Sequence, residues 1–294
     1  MNALDHELLP ELAAPSRELS AKLERLRALI ASYSRVIVAY SGGVDSAFVL
    51  RVAVEMLGDR ARAFTARSPS LLGVELAEAV ALAAKLGAVH EIVETHELER
   101  PGYVENSPSR CYFCKTELFD ATEIAARHFA GATVIDGFNA DDLRDHRPGH
   151  RAAAEHGVLH PLAEVGLSKR EIRTLSRELG LETWKKPQLA CLSSRIPYGM
   201  NVTEERLLRV GAVETALRAL GFRDVRARLV RENEDMLRLE LGEAELERAA
   251  SRAFRPRIVE AARAAGFRFV SLDLEGFRSG RMNEGAAPRP PPAD

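Results

Sequence analysis

The chain is poor in cysteine and tryptophan, with three cysteines and one tryptophan among its 294 residues. Three thiols cannot all pair as disulfides, so they form a redox pair with a spare thiol, three ligands of a metal centre, or one nucleophile with bystanders. An excess of charge of either sign is also missing, because 41 basic and 43 acidic residues give a net charge of −2. This balance gives no global electrostatic reason to bind nucleic acid, and we expect no nucleic-acid partner.

Long apolar runs are absent as well. No run approaches the about 18 consecutive apolar residues that a membrane-spanning helix needs, so we expect no membrane partner. The N-terminus, MNALDHELLPELAAPSRELS, is acidic and lacks the pattern of a signal peptide, which predicts a cytoplasmic protein. In that reducing compartment, catalytic or metal-binding cysteines are expected rather than disulfides. What is present is the composition of an ordinary globular protein, with 46% hydrophobic and 29% charged residues.

Strand and helix patterns alternate through the first half of the chain. Leu19, Leu23, Leu26 and Ile30 share one face of a predicted helix. The run RVIVAY (35–40), rich in β-branched residues, predicts a buried parallel strand. This alternation predicts an α/β fold, a parallel sheet with helices on both faces, followed from near Thr203 by a small α+β unit. The predicted strands of the parallel sheet are 35–40, 61–66, 89–95 and 132–137, and the predicted domains are 16–198 and 199–283, with a disordered Pro-rich tail at 284–294.

The segment SGGVDS follows the first predicted strand and precedes a helical pattern. Gly42 and Gly43 allow a tight turn with exposed backbone N–H groups, and a helix N-terminus behind such a turn binds anions. Ser41 and Ser46 add hydroxyl donors, and Asp45 is expected to hold Mg²⁺ against a phosphate that it would otherwise repel. The alternative is a glycine turn with Asp45 as a favourable charge at the helix start. The position after the first buried strand favours the phosphate site.

A second stretch rich in glycine and aspartate, DGFNADD, follows the last strand of the predicted sheet. Its position predicts that Gly137 allows close approach of the backbone and that Asp141 or Asp142 lies near the metal. The alternative is an Asx-rich turn without a ligand. The histidines that follow, His146 and His150, are expected to be loop residues near the site rather than metal ligands.

The cysteines lie in two segments, RCYFCK and CLSSRIPYG. Cys111 and Cys114 have i, i+3 spacing, which places both thiols on one side of a turn or helix start. Cys191 lies close in sequence to Ser194 and Arg195, and the arginine charge favours a thiolate. The alternatives are ordinary helical cysteines for the pair and a small buried apolar side chain for Cys191. A zinc site would need a fourth protein ligand, and no histidine lies beside the pair.

The segment SGGVDS fits neither the Walker A nor the Rossmann phosphate loop and resembles the SGGxDS signature of PP-loop ATP pyrophosphatases. Enzymes of that superfamily cleave ATP between the α and β phosphates and adenylylate a carboxyl or carbonyl oxygen. With RCYFCK, DGFNADDLRDHRPG, CLSSRIPYG and LDLEGFRSGRMNE, in this order over about residues 20 to 284, the chain resembles the LarE family. These proteins are PP-loop sulfur transferases that serve the nickel-pincer nucleotide cofactor of lactate racemase and related enzymes.

The resemblance implies an enzyme that uses ATP and Mg²⁺ on a nucleotide substrate, pyridinium-3,5-biscarboxylic acid mononucleotide. Each carboxylate becomes an acyl-adenylate, a sulfur nucleophile displaces AMP, and cleavage leaves a thiocarboxylate. Cys191 and Asp45 are then the expected catalytic residues. In some members the cysteine that matches Cys191 gives up its own sulfur. In others three thiolates, here Cys111, Cys114 and Cys191, hold a [4Fe–4S] cluster, and the three-cysteine pattern favours this second form.

The substrate's phosphate and second carboxylate are expected to meet arginines, because a guanidinium pairs with both groups in a bidentate manner. Arg195, Arg226 and Arg228 are the candidates, and Glu214 is expected to bind metal or to position an arginine. The alternative for each is a solvated surface side chain. The resemblance also implies a homo-oligomer, with a hexamer as one form.

Two other functions remain open from the sequence. A tRNA thiolation enzyme of the same superfamily would share ATP use and cysteine chemistry, and it predicts an RNA-binding domain or a strongly basic face. A non-catalytic ATP-binding redox sensor predicts that Cys191 is dispensable for turnover and that bound ATP persists uncleaved.

Overall fold

The computed structural model describes residues 16–144, 148–187 and 190–278. The described chain divides into two compact units between Ala190 and Cys191. The domain boundary that we placed after Tyr198 stays a prediction. The predicted tail, the N-terminal segment, His146 and the end of LDLEGFRSGRMNE beyond Arg278 lie outside the described residues.

The first unit alternates helices and strands as expected from the sequence pattern. Ser16 begins the first helix by accepting the Leu19 N–H on its hydroxyl at 3.1 Å. The helix buries the predicted face formed by Leu19, Leu23, Leu26 and Ile30. In chain order the helices and strands are α1 (Arg17–Ser32), β1 (Val36–Ala39), α2 (Val44–Leu57), β2 (Ala61–Arg67), α3 (Gly73–Lys85), β3 (Val89–Glu94), α4 (Pro101–Val104), α5 (Arg110–His128), β4 (Thr133–Ile135), α6 (Pro148–Glu155), α7 (Pro161–Glu164) and α8 (Lys169–Glu178).

Within the described residues, the first unit has one parallel sheet in the order β3-β2-β1-β4. The central strand β1 is buried along its whole length, and successive side chains of a strand point to opposite faces. Val36 and Val38 accordingly join one apolar cluster, and Ile37 and Ala39 join another. The first cluster includes side chains of α1, α2 and α8, such as Leu26, Phe48 and Ile172, and the second includes side chains of α5 and α6, such as Phe119 and Ala152.

The second unit is a small α+β layer whose described strands have the order β5-β6-β7. Strand β6 pairs antiparallel with β5 and parallel with β7, and two helices cross between the parallel strands. Its elements are α9 (Glu204–Ala219), β5 (Val225–Leu229), β6 (Met236–Leu241), α10 (Leu246–Ala250), α11 (Arg255–Ala264) and β7 (Phe269–Leu272). The predicted fold class, a parallel α/β sheet with helices on both faces plus a small α+β unit, is confirmed.

None of the described helices combines the length and the apolar character that crossing a bilayer requires.

Candidate active site

The segment SGGVDS forms the turn from β1 into α2. Gly42 has a φ of 69°, in the left-handed region that favours glycine. A Cβ built on Gly42 would lie only 2.7 Å from the Cβ of Ala79, so a larger residue is excluded by space as well. Gly43 is the N-cap of α2, and no side chain caps the helix there. The partial positive charge of the α2 N-terminus is therefore directed at this turn, as in an anion site.

The two serines of the segment close the turn on itself. The Ser46 hydroxyl accepts the Ser41 N–H at 3.2 Å and lies 3.1 Å from the Ser41 hydroxyl. It also donates to the Gly43 carbonyl at 3.3 Å, and the Ser41 hydroxyl accepts the Gly43 N–H at 3.4 Å. The predicted residues Ser41, Gly42, Gly43 and Ser46 are thus brought into one small turn. Its hydroxyl and N–H donors are the groups that a phosphate accepts from.

Asp45 carries two carboxylate oxygens in different surroundings. One oxygen, Oδ2, forms an ion pair with Lys169 at the start of α8. The other, Oδ1, is buried and accepts no hydrogen bond from the described residues. Burial raises the pKa of Asp45 above its ordinary value, against the opposing effect of Lys169. An orphaned carboxylate oxygen beside an anion-binding turn fits a Mg²⁺ ligand, because Mg²⁺ prefers oxygen ligands of this kind.

Three cations of the first unit lie around the turn, and no sequence motif singled them out. Lys169 pairs with Asp45, and Lys186 donates to the Gly42 carbonyl at 3.2 Å. Arg173 donates to the Lys186 carbonyl at 2.9 Å, and burial lowers its pKa although Asp45 opposes that effect. A signal for Lys169 existed, since the capping box of Ser168 and Glu171 fixes it as the first residue of α8. Nothing comparable marks Lys186 or Arg173.

The stretch DGFNADD follows β4, the neighbour of β1 in the sheet. A Cβ on Gly137 would lie 2.7 Å from the Ser46 nitrogen, so the backbone passes directly against the start of α2. Asp141 donates its N–H to the Asn139 side chain at 3.0 Å, and Asp142 accepts the Asn139 N–H at 3.2 Å. These are Asx-type turn contacts. The charge of Asp142 also raises the pKa of Asp45, which places it near the candidate metal ligand, and its metal role stays a prediction.

Cys111 and Cys114 lie in the first turns of α5, at the predicted i, i+3 spacing. Cys111 is exposed and Cys114 is half-buried, and neither forms a disulfide. Both therefore lie at the positive end of a helix, which favours anionic groups. Over the described ranges, no three His, Cys, Asp or Glu side chains are gathered as a metal-binding group.

Cys191 is exposed and is the N-cap of a short 3₁₀ helix, Leu192–Arg195. Its carbonyl oxygen accepts the Ser194 N–H at 3.0 Å and the Ser194 hydroxyl at 2.8 Å. A third donor to the same oxygen is Nη1 of Arg195, at 3.1 Å. Ser194 and Arg195 therefore hold the backbone of Cys191, and this fixes the position from which its side chain extends.

Arg195 is itself fixed by Glu214 of α9. Its Nε and Nη2 donate to the two Glu214 carboxylate oxygens at 2.7 and 2.8 Å, with the side chains only 1% and 0% exposed. Glu214 also accepts the Ala227 N–H of β5 at 2.9 Å. All these contacts lie within the second unit. Because two bonds to its carboxylate fix the Arg195 guanidinium, Glu214 occupies the position of an arginine-orienting residue. Its function in catalysis stays a prediction.

Arg226 and Arg228 of β5 are buried beside this pair. Arg228 donates to the Ser194 carbonyl at 2.7 Å and pairs with Glu240 of β6 at 2.6 Å. The guanidinium of Arg226 lies 4.5 Å from the ring centroid of Phe277. Burial lowers the pKa of Arg226 to about 10, and the nearby charge of Arg195 is the second largest cause of this shift. Cations that repel one another in a buried region favour an anionic ligand. No motif or spacing marks Glu240 in the sequence.

Removing the Glu214 carboxylate is expected to destabilise the second unit strongly. A Glu214→Leu variant leaves Arg195 buried without its charge partner, and breaking a buried pair in this way costs about 3–5 kcal/mol. The free energy of unfolding from urea titration measures the effect. The double variant Arg195→Met, Glu214→Leu should regain most of the loss, because no uncompensated charge remains.

The matched control for this experiment is the exposed pair of Lys85 and Glu182, whose side chains are 64% and 80% exposed. Glu182→Gln should leave the urea midpoint unchanged, since exposed ion pairs contribute little to stability. A Glu214→Leu midpoint as insensitive as this control would contradict a structural role for the buried pair.

These features define the class of the protein. A turn of glycines and serines links the central strand of a parallel sheet to a helix, an aspartate with an orphaned oxygen lies at that helix start, and lysines surround it. This arrangement is that of the PP-loop ATP pyrophosphatase fold, in which a backbone turn and a helix N-terminus bind phosphates.

Comparison with known proteins gives the family. No protein-family model matches the chain. An uncharacterized protein of Synechocystis sp. is 46% identical over 90% of this chain and 98% of its own length. The pyridinium-3,5-bisthiocarboxylic acid mononucleotide synthase of Lactiplantibacillus plantarum is 38% identical over 90% of this chain and 95% of its own length. An uncharacterized protein of Methanocaldococcus jannaschii is 28% identical over 83% of this chain. The chain belongs to the LarE family, as the sequence motifs predicted.

Proposed function

We propose that the protein is an ATP-dependent sulfur transferase that converts pyridinium-3,5-biscarboxylic acid mononucleotide into the bisthiocarboxylic acid mononucleotide used in the nickel-pincer cofactor. The observation that carries this proposal is the 38% identity, over nearly the whole chain, to a protein named as the synthase of that product. The turn at residues 41–46 supports it, because making an acyl-adenylate requires a site that binds ATP phosphates.

The turn and its surrounding lysines account for the ATP half of the reaction. Backbone N–H groups at Gly42 and Gly43, with the α2 N-terminus behind them, bind the phosphates and orient the α phosphate. Lys169 and Lys186 supply positive charge where pyrophosphate leaves, since each already lies against the turn. A substrate carboxylate oxygen attacks the α phosphate, the bond to pyrophosphate breaks, and the acyl-adenylate remains.

Asp45 is the proposed ligand for Mg²⁺, which would neutralise phosphate charge when it is bound. The buried oxygen Oδ1 supports this role. A buried carboxylate oxygen is stabilised by a cation or a hydrogen-bond donor, and the described residues donate no hydrogen bond to it. Lys169 holds the other oxygen and so fixes the orientation of the carboxylate. Asp142 adds a second negative charge near the same place.

The buried arginines are proposed to bind the substrate's own charges. Arg226 suits an anion because its pKa is already lowered to about 10 by burial and by neighbouring cations, a cost that an anionic ligand removes. Arg228 lies two residues further along β5 and is proposed to bind the same kind of anion. Arg195 is better explained as a residue that positions Cys191, because it is engaged by Glu214, by Ser194 and by the Cys191 carbonyl.

The sulfur half of the reaction is assigned to the cysteines. We propose that the thiolates of Cys111, Cys114 and Cys191 bind a [4Fe–4S] cluster, which would supply a site for an extra sulfide. Two observations support this proposal: the three thiols form no disulfide, and Cys111 and Cys114 lie one turn apart on α5. The alternative is that Cys191 gives up its own sulfur. A homo-oligomer, with a hexamer as one form, is part of the same proposal.

The test is a product assay on protein purified without oxygen. With ATP, Mg²⁺, a sulfide source and the biscarboxylic mononucleotide, mass spectrometry should show thiocarboxylate, and pyrophosphate should form with each transfer. Brown protein with about four irons per chain is expected for a cluster enzyme. Thiolation of tRNA without thiocarboxylate, or bound ATP that persists uncleaved, would contradict the proposed function. Colourless protein that makes product would contradict the cluster alone.

A further inference from the structure

Two glycine–aromatic pairs of the first unit join the phosphate turn to the cysteine helix. The first pair, Gly137 and Phe138, follows β4, and the second, Gly149 and His150, lies at the start of α6. In each pair the glycine makes a close backbone approach to one part of the proposed site, and the aromatic ring that follows contacts the other pair.

The first pair is fixed against the phosphate turn. A Cβ on Gly137 would lie 2.7 Å from the Ser46 nitrogen and 3.0 Å from the Asp45 Cβ, so no gap separates this backbone from the start of α2. Asp136, just before it, accepts the Phe138 N–H at 3.0 Å. A shift of the turn when phosphate binds must therefore move Gly137 and Phe138 with it, because close-packed groups transmit displacement.

The second pair is fixed against the cysteine helix. A Cβ on Gly149 would lie 2.9 Å from the Cγ of Lys115 and 3.6 Å from the carbonyl oxygen of Cys111. The start of α6 thus lies directly on the turn of α5 that carries the cysteine pair. A movement of His150 is passed to that turn through the same backbone contact.

The rings of the two pairs stack. The centroids of Phe138 and His150 are 4.0 Å apart with an interplanar angle of 22°. His160 stacks on His150 at 5.2 Å, and it shares a hydrogen bond of 2.7 Å with the Asp136 carboxylate. The stack is therefore anchored at Asp136, beside the phosphate turn, and ends on the helix that contacts Cys111.

We propose that Phe138 and His150 are positioning residues that transmit nucleotide occupancy of the phosphate turn to Cys111 and Cys114. The stack sets where the first turns of α5 lie relative to the phosphate turn. When ATP fills the turn, the cysteine helix becomes more tightly held. This inference rests on the proposed ATP-dependent function, and it concerns the apolar contact between the two parts of the site rather than the sulfur source.

Hydrogen–deuterium exchange of the full chain, with and without Mg²⁺ and α,β-methylene-ATP, tests the stack. The wild-type protein should show several-fold slower exchange in peptides that cover 110–118 when the nucleotide is bound. Phe138→Ala should still bind the nucleotide by calorimetry but lose this slowing. His150→Phe keeps a ring at the stacking position and should retain it, which separates stacking from a general loss of folding.

Glu155→Ala is the matched control, because it removes the acceptor that the Tyr112 hydroxyl uses at 2.6 Å, at the other end of α6, and leaves the stack intact. It should keep the nucleotide response. Slowing that survives in Phe138→Ala, or wild-type exchange that ignores bound nucleotide, would overturn the inference alone. A wild-type protein that binds no nucleotide would overturn the proposed function and this inference with it.

Discussion

Cys191→Ser is expected to abolish thiocarboxylate formation while leaving the first, single-turnover release of pyrophosphate from ATP intact, because an acyl-adenylate without a sulfur nucleophile keeps its AMP. Both proposed routes need this thiol, one as a cluster ligand and the other as the sulfur donor, and a serine hydroxyl serves neither. The phosphate turn lies in the first unit, apart in sequence from the second unit that Cys191 begins, so adenylylation is expected to persist. Mass spectrometry of the mononucleotide and a pyrophosphate assay on the same sample measure the two halves.

Cys111→Ser and Cys114→Ser are the matched controls for that result. If the cluster delivers sulfur, each should lose product and iron together, because two thiolates cannot replace three. If Cys191 gives up its own sulfur, both controls should still make product, and Cys191 should lose the mass of H₂S after one turnover. Thiocarboxylate made by Cys191→Ser at the wild-type rate would exclude both routes.

The parallel sheet was predictable because its signals are local. Strands β1, β3 and β4 are short runs rich in β-branched residues. Helices have apolar faces, such as the face of α1 formed by Leu19, Leu23, Leu26 and Ile30, and the links are short, so only the strand order needed long-range information. The helix α6 was missed for the opposite reason. Its segment is polar and contains a Pro-Gly pair, and it is held by packing on α5 through Gly149, which no local pattern encodes.

The phosphate turn was predictable in composition but not in its partners. The residues of SGGVDS determine the turn through local backbone conformation, including the positive φ of Gly42. The cation that pairs with Asp45 is Lys169, which lies far along the chain. A side-chain pair at such a separation produces no local pattern that a single sequence would show.

Arginine roles were equally hidden in the second unit. Arg195, Arg226 and Arg228 were all candidates for substrate anions, yet Arg195 is bound on both edges by Glu214 and by the Cys191 turn. A single sequence cannot separate an arginine that orients a backbone from one that binds a ligand, because neither role leaves a local pattern. The contacts of Arg195 favour the first role, and the ligand-binding roles of Arg226 and Arg228 stay predictions.

Asp45→Asn is expected to reduce ATP-dependent pyrophosphate release by about 100- to 1000-fold, the usual effect of removing one preorganised charge-stabilising group from an active site. An amide is a poor Mg²⁺ ligand compared with a carboxylate. Initial rates of pyrophosphate release over a Mg²⁺ titration measure the loss, and added Mg²⁺ should not restore the wild-type rate. Asp59→Asn is the control, because Asp59 is an exposed aspartate just past the other end of α2.

The same substitution should not lower folding stability, and this separates a catalytic role from a structural one. Burial raises the pKa of Asp45, so the folded protein favours the neutral carboxyl more than the unfolded chain does. Stability contributed by this group therefore falls as pH rises from the ordinary aspartate pKa through the raised one. Asparagine removes that dependence, so above this range the variant should melt at the wild-type temperature or higher. A lower melting temperature together with normal pyrophosphate release would show that Asp45 serves the fold instead of the nucleotide.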